Sequence, residues 1–72
     1  MHMGKREIGS VLKDRRRELG VTQRQVAEYA DLALNTVYQV ERGQANPTLE
    51  TLLTLADTLG LELDLRAKTP SA

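Results

Sequence analysis

Glycines at positions 20, 43 and 60 each close a run of apolar residues spaced three or four apart. This punctuation constrains the chain more than any other feature, because a glycine just past a periodic stretch marks the end of a helix. Ile8, Val11, Leu12 and Leu19 share one helical face before Gly20, which predicts a first helix over about 6–19. Thr22 and Gln25 have the spacing of a capping box, a hydroxyl followed three residues later by Glu or Gln. They open a second helix over 23–30 with Val26, Ala27 and Ala30 turned inward. Asp31 follows, a residue type that tolerates the left-handed conformation better than most. A third helix over 34–42 buries Val37 and Val40 and stops at Gly43, and Gln44-Ala45-Asn46-Pro47 is a loop. Thr48 caps a fourth helix with a stripe of Leu49, Leu52, Leu53, Ala56 and Leu59, closed by Gly60.

Beyond Gly60 the period changes. Leu61-Glu62-Leu63-Asp64-Leu65-Arg66 alternates strictly, the repeat of a half-buried strand. One strand satisfies neither its own backbone nor its apolar face, and the chain holds no other strand pattern, so the partner is expected to be another molecule. The competing readings are a frayed fifth helix and a disordered tail. The expectation is a single domain over 1–72. It divides into a helical region over 5–60, a dimerisation strand over 61–68 and a loose tail over 69–72.

A chain of 72 residues buries only about 60% of its unfolded surface, so its core needs support. With no cysteine, disulfides, thiol catalysis and Cys-ligated zinc are excluded. The one histidine, His2, lies in a Met1-His2-Met3 start that reads as an expression-derived leader rather than a site. No metal or other cofactor is expected. The support left is oligomerisation or a partner. Leu, Ile and Val make up 18 of 72 residues, above the level of a disordered chain. No apolar run approaches the roughly 20 residues of a membrane span and no signal-peptide core is present, so a cytoplasmic protein without membrane contact is expected. Enzymatic function lacks parts: Ser10 and Ser71 are the only serines, and there is no glycine-rich phosphate loop.

Ten basic residues balance ten acidic ones, but they are not evenly spread. Residues 1–44 hold eight Lys/Arg against six Asp/Glu, and residues 45–72 hold two against four. Phosphate binding depends on where charges cluster, not on their sum. Helices two and three are short and joined by a tight turn at Asp31-Leu32-Ala33, the spacing of a helix-turn-helix whose second helix lies in the DNA major groove.

The ordered motifs Leu19-Gly20-Val21-Thr22-Gln23, Val26-Ala27, Val40-Glu41-Arg42-Gly43 and Asn46-Pro47-Thr48-Leu49-Glu50 resemble the lambda-repressor-like, XRE-type helix-turn-helix family over roughly residues 8–60. The following Leu59-Gly60-Leu61-Glu62-Leu63-Asp64-Leu65 resembles the short HipB-type antitoxins. The resemblance implies a mostly α fold, a four-to-five-helix helix-turn-helix domain with one short C-terminal β-strand paired between chains. It implies a DNA-binding repressor acting as a homodimer on double-stranded DNA, with a kinase-type toxin as a further partner. The alternative is a protein-interaction module of the same fold that inhibits its partner without specific DNA binding, a reading favoured by the zero net charge.

Family roles fall on matching residues. Gln23, Arg24, Thr36, Arg42 and Asn46 match backbone-contacting positions, and a helix N-terminus with free N–H groups suits phosphate. Base reading is assigned to Leu34, Asn35, Tyr38 and Gln39. Asn and Gln pair bidentately with adenine, and Leu and Tyr offer apolar contact to a thymine methyl. For Tyr38 the plainer alternative is packing against a neighbouring turn. Arg16 falls on the apolar face of helix one and Glu41 on the inward side of helix three, so the two opposite charges are expected to meet, as the family's Arg–Glu pair does. Arg15 and Arg17 are rotated away, either solvated or on phosphate. Ala33 stands where relatives commonly carry a Ser or Thr cap, and Asp31 where glycine is common. Leu61, Leu63 and Leu65 share the face expected to form the dimer interface.

Overall fold

The computed structural model describes residues 4–69. The Met1-His2-Met3 leader and Pro70-Ser71-Ala72 of the expected tail lie outside the described residues. Four helices run in order, α1 (Lys5–Glu18), α2 (Gln23–Ala30), α3 (Leu34–Glu41) and α4 (Leu49–Thr58).

Local chemistry accounts for the helix ends. The Gly4 N–H donates to Glu7 Oε2 at 3.0 Å, which places a carboxylate over the orphan N–H groups that open α1. Thr22 and Gln25 form the expected reciprocal box at α2, with the Gln25 N–H donating to Thr22 Oγ1 and the Thr22 N–H donating to Gln25 Oε1. Thr48 accepts from the Thr51 N–H at the start of α4. Asp31 ends α2 at φ 56°, in the left-handed region. Ala33 caps α3 with no side-chain hydrogen bond, so the short helix in the middle of the fold begins without the roughly 1 kcal/mol a Ser or Thr supplies there.

The core joins Leu12 of α1, Val26, Ala27 and Ala30 of α2, Val37 and Val40 of α3, and Leu55 and Leu59 from the α4 end. The expected inward faces of α2 and α3 are present. That of α4 is corrected: Leu55 is among the most deeply buried side chains, while Leu49 is 63% and Leu53 47% exposed. With Leu52 half-buried and Ala56 buried, the apolar residues of α4 spread over an arc of about 160°, wider than the core contact, and periodicity alone could not tell which part of that arc faces inward. Leu19 and Val11, also expected inside, lie at the surface.

Gly9 sets how closely α1 crosses α3. A Cβ at this position would lie 2.3 Å from the Val40 carbonyl oxygen and 2.7 Å from that of Glu41, so only glycine lets the two backbones meet.

The strand expected over 61–68 does not form in the single chain. Residues 61–69 have no regular secondary structure, and no strand occurs among the described residues. The physical reason is that one chain offers no second strand to complete the ladder. No fifth helix forms among the described residues either. No helix among the described residues is long and apolar enough to cross a membrane.

Gly9→Ala is expected to lower the urea-unfolding free energy by about 1–3 kcal/mol, the cost of overpacking a tight contact. An unchanged midpoint would mean that α1 and α3 can separate without loss.

Candidate nucleic-acid interface

The Glu41 carboxylate lies at the junction of three helices. It is the buried charged residue among the described ones, at 9% exposure. Arg16 of α1 grips it with two parallel hydrogen bonds, Nε to Oε2 at 2.7 Å and Nη2 to Oε1 at 3.1 Å. The planar guanidinium fork matches a carboxylate in this way, and an ammonium would not. The third contact of Arg16, Nη1 to the Val21 carbonyl at 2.9 Å, ties the same group to the turn between α1 and α2. Gln23, the first residue of α2, donates from Nε2 to Glu41 Oε1 at 3.0 Å. One carboxylate therefore fixes α3 against both neighbours, and no buried side-chain N or O among the described residues lacks a partner.

The hydrogen bond that Arg16 donates to Glu41 holds the guanidinium above its ordinary pKa; burial opposes this and the carboxylate charge adds to it. A cation stabilised in the folded state loses that stabilisation only as pH rises through its raised value. For Arg16 that lies beyond the working range, so this side of the pair stays charged through neutral and alkaline solution.

With Val37, Val40 and Glu41 buried on one side of α3, the opposite side is open. Leu34, Asn35 and Tyr38 are exposed and Gln39 is half-buried, and helical spacing places all four with exposed Arg42 on one continuous face. The expected base-reading residues are thus brought together. Arg42 stands one turn from Tyr38, its guanidinium 5.1 Å from the ring centroid and hydrogen-bonded to the hydroxyl. Tyr38 thereby has a neighbour one turn on, at the C-cap of α3, while its ring stays exposed. Thr36 is half-buried at the border of this face.

Of the other expected contacts, Gln23 is half-buried at the N-terminus of α2, and Arg24 beside it is exposed. Asn46 is exposed in the loop after α3, where it lines a small cleft of about 120 Å³ with Lys5, Pro47 and Leu52. Arg15, expected to be solvated or on phosphate, is half-buried and makes a contact within the chain. Its Nε donates to the Leu59 carbonyl at 2.9 Å, a cation set at the C-terminal end of α4 where the helix dipole favours it. The expectation that Arg15 is rotated away is corrected: it stands four after Val11 and four before Leu19, a spacing that places it on the apolar face of α1, though its acceptor lies 44 positions away. The pairing of Tyr38 and Arg42 follows the i, i+4 rule and was open to a sequence reading.

Leu61 and Leu63 lie along a cleft of about 650 Å³ between α1 and α4, lined also by Ile8, Val11, Leu52 and Ala56. Leu65 is 93% exposed. The three leucines do not meet as a closed interface within one chain.

A short helix braced from behind, with its polar face open and a second short helix ending on it, defines a helix-turn-helix domain. A helix-turn-helix family profile matches residues 12–65, and the chain belongs to this family, the lambda-repressor-like, XRE-type group. Among curated proteins, an immunity repressor of Bacillus phage phi105 is 38% identical over 56 residues, which span 78% of this chain and 39% of that protein. An HTH-type transcriptional regulator of Haemophilus influenzae is 38% identical over 50 residues, 69% of this chain and 51% of that protein. The chain therefore spans between two fifths and about half the length of these relatives. Among solved structures, the restriction-modification controller protein C.AhdI of Aeromonas hydrophila superposes with a TM-score of 0.77 at 34% identity, covering 81% of this chain and 88% of that one.

Glu41→Ala is expected to destabilise the fold by about 3–5 kcal/mol, because it strands the Arg16 charge in a poorly solvated place. Arg16→Met combined with Glu41→Leu should recover much of the loss. Urea unfolding of the variants decides the matter, and a near-neutral Glu41→Ala would mean that solvent, not the carboxylate, satisfies Arg16.

Proposed function

We propose that this chain is a sequence-specific DNA-binding transcriptional repressor that occupies an inverted-repeat operator as a homodimer. The observation that carries the proposal is the division of α3 into a locked face, held through Glu41, and an open face of Leu34, Asn35, Tyr38, Gln39 and Arg42. Rigid backing is what a base-reading helix needs, since hydrogen bonds to base edges tolerate little displacement. The repressor and controller roles named for its relatives support the same reading.

In this reading Asn35 and Gln39 reach base edges, Leu34 and Tyr38 supply apolar contact to thymine methyls, and Gln23, Arg24, Thr36, Arg42 and Asn46 hold the phosphates. Repression is steric. The dimer sets two α3 helices about 34–36 Å apart, one turn of the duplex. The segment 61–68 supplies the dimer contact: two copies running antiparallel complete each other's ladder, and Leu61, Leu63 and Leu65 of the pair cover the α1–α4 clefts. Support for this comes from the uncovered Leu65 and from the exposed Val11, Leu53 and Leu63. A finer role as the antitoxin of a toxin–antitoxin operon, also holding a kinase-type toxin, rests on the alternating pattern after Gly60. Retardation of an inverted-repeat duplex separates the repressor from a toxin inhibitor of the same fold that leaves DNA alone.

On the preferred operator, Asn35→Ala or Gln39→Ala should cost about 1–3 kcal/mol and relax preference at one base pair. Arg42→Ala should weaken all sequences alike and flatten the salt dependence. A change of base preference from Arg42→Ala with none from Asn35→Ala would reverse the assignment of roles.

Ending the chain after Gly60 is expected to give a monomer by sedimentation, with a lower Tm and much weaker operator binding. A truncated chain that still sediments as a dimer would move the interface to the helices.

A further inference from the structure

The outward charges of α1 are segregated. At about 100° per residue, Arg6, Ser10, Lys13 and Arg17 fall within an arc of about 60°, and Glu7, Asp14 and Glu18 within a separate arc of about 40°. The basic arc contains no acid, and Arg6, Lys13 and Arg17 form no ion pair among the described residues. Arg6 and Arg17 are exposed and Lys13 is half-exposed. A solvated helix with no partner gains by mixing its charges into i, i+3 and i, i+4 pairs; in α1 Asp14 and Arg17 have the i, i+3 spacing but form no ion pair, and the two signs otherwise keep to separate flanks.

The basic flank adjoins the recognition helix. A Cβ on Gly43, the second residue past α3, would lie 2.7 Å from Arg6 Cα, so the N-terminal end of the stripe touches the chain as it leaves α3. Lys5 beside it shares a cleft with Asn46. At the other end, Arg17 follows Arg16, whose guanidinium holds Glu41 and, through it, Gln23. The stripe thus runs about 16 Å along α1, from the loop carrying Asn46 to the N-terminus of α2.

We propose that Arg6, Lys13 and Arg17 form a phosphate track on α1 that follows one strand of the duplex between the contacts made by the α3–α4 loop and by α2. The track adds affinity without reading sequence, and it lets a chain of zero net charge bind a polyanion by turning one flank toward it. This rests on the DNA-binding reading above and adds a third element to the interface.

The test is the salt dependence of operator binding by the full chain and by Arg6→Gln, Lys13→Gln and Arg17→Gln, singly and together. Each substitution should reduce the slope of log K against log salt by about 0.9, with base preference and Tm unchanged. A fourth variant, Asp14→Asn with Glu18→Gln, alters the acidic flank and should leave the slope as it was. Unaltered slopes in the three basic variants would overturn the track while leaving the repressor reading intact. An equal slope change in the acidic-flank variant would also overturn it, because total charge would then be the cause. If the unaltered chain fails to bind any inverted-repeat duplex, both readings fall together.

Discussion

The Glu41 carboxylate is held by five-donor Arg16 on one side and by the Gln23 amide on the other, and the position of α3 depends on that arrangement. An eight-residue helix is too short to persist alone, since isolated helices below about 12–15 residues are marginal in water. Its first turn also lacks a side-chain cap. Val37 and Val40 anchor one face in the core, but apolar contacts are non-directional and leave rotation about the helix axis weakly determined. The bidentate pair with Arg16 and the bond from Gln23 provide the direction. A buried ion pair contributes little net stability over an apolar replacement, so its value here lies in orientation. Arg16 also reaches the Val21 carbonyl, which makes the α1–α2 turn part of the same unit.

That brace divides the molecule's surface by task. The open side of α3, the N-terminus of α2 and the loop with Asn46 lie around the junction, and the basic flank of α1 runs between the latter two. The cleft between α1 and α4 carries the leucines of the C-terminal segment and leaves Leu65 uncovered. The fold thus separates a polar surface suited to phosphates and base edges from an apolar surface suited to a second copy.

Much of this was legible in the sequence, for physical reasons that differ from element to element. The α2 boundaries followed from a capping box and a short apolar face, both local and both expressed in residue identity. The Arg16–Glu41 pair was legible because opposite charges at inward helical positions demand partners, and the family resemblance implied the same pair. The stripe of α4 was not, because Leu49, Leu52, Leu53 and Leu55 spread over an arc wider than the core contact, and hydrophobicity does not say which part of it meets the core. Gly9 gave no signal, since a close backbone crossing depends on a helix far away in sequence. The inward placement of Arg15 was legible from its spacing to Val11 and Leu19, but its acceptor, the Leu59 carbonyl, was not. The alternation after Gly60 has the period of a strand, but residues 61–69 form no regular secondary structure, because a period of two does not supply the second strand that a ladder needs.

The buried carboxylate positions α3 rather than merely stabilising the fold. The most direct measurement is operator affinity of the Arg16→Met, Glu41→Leu double variant, in which apolar groups restore the fold while Gln23 loses its acceptor. The account predicts a folded chain whose operator binding is weaker by roughly tenfold or more, the equivalent of one oriented hydrogen bond lost. Full operator affinity in that stable variant would contradict it, because α3 would then be held in register by packing alone.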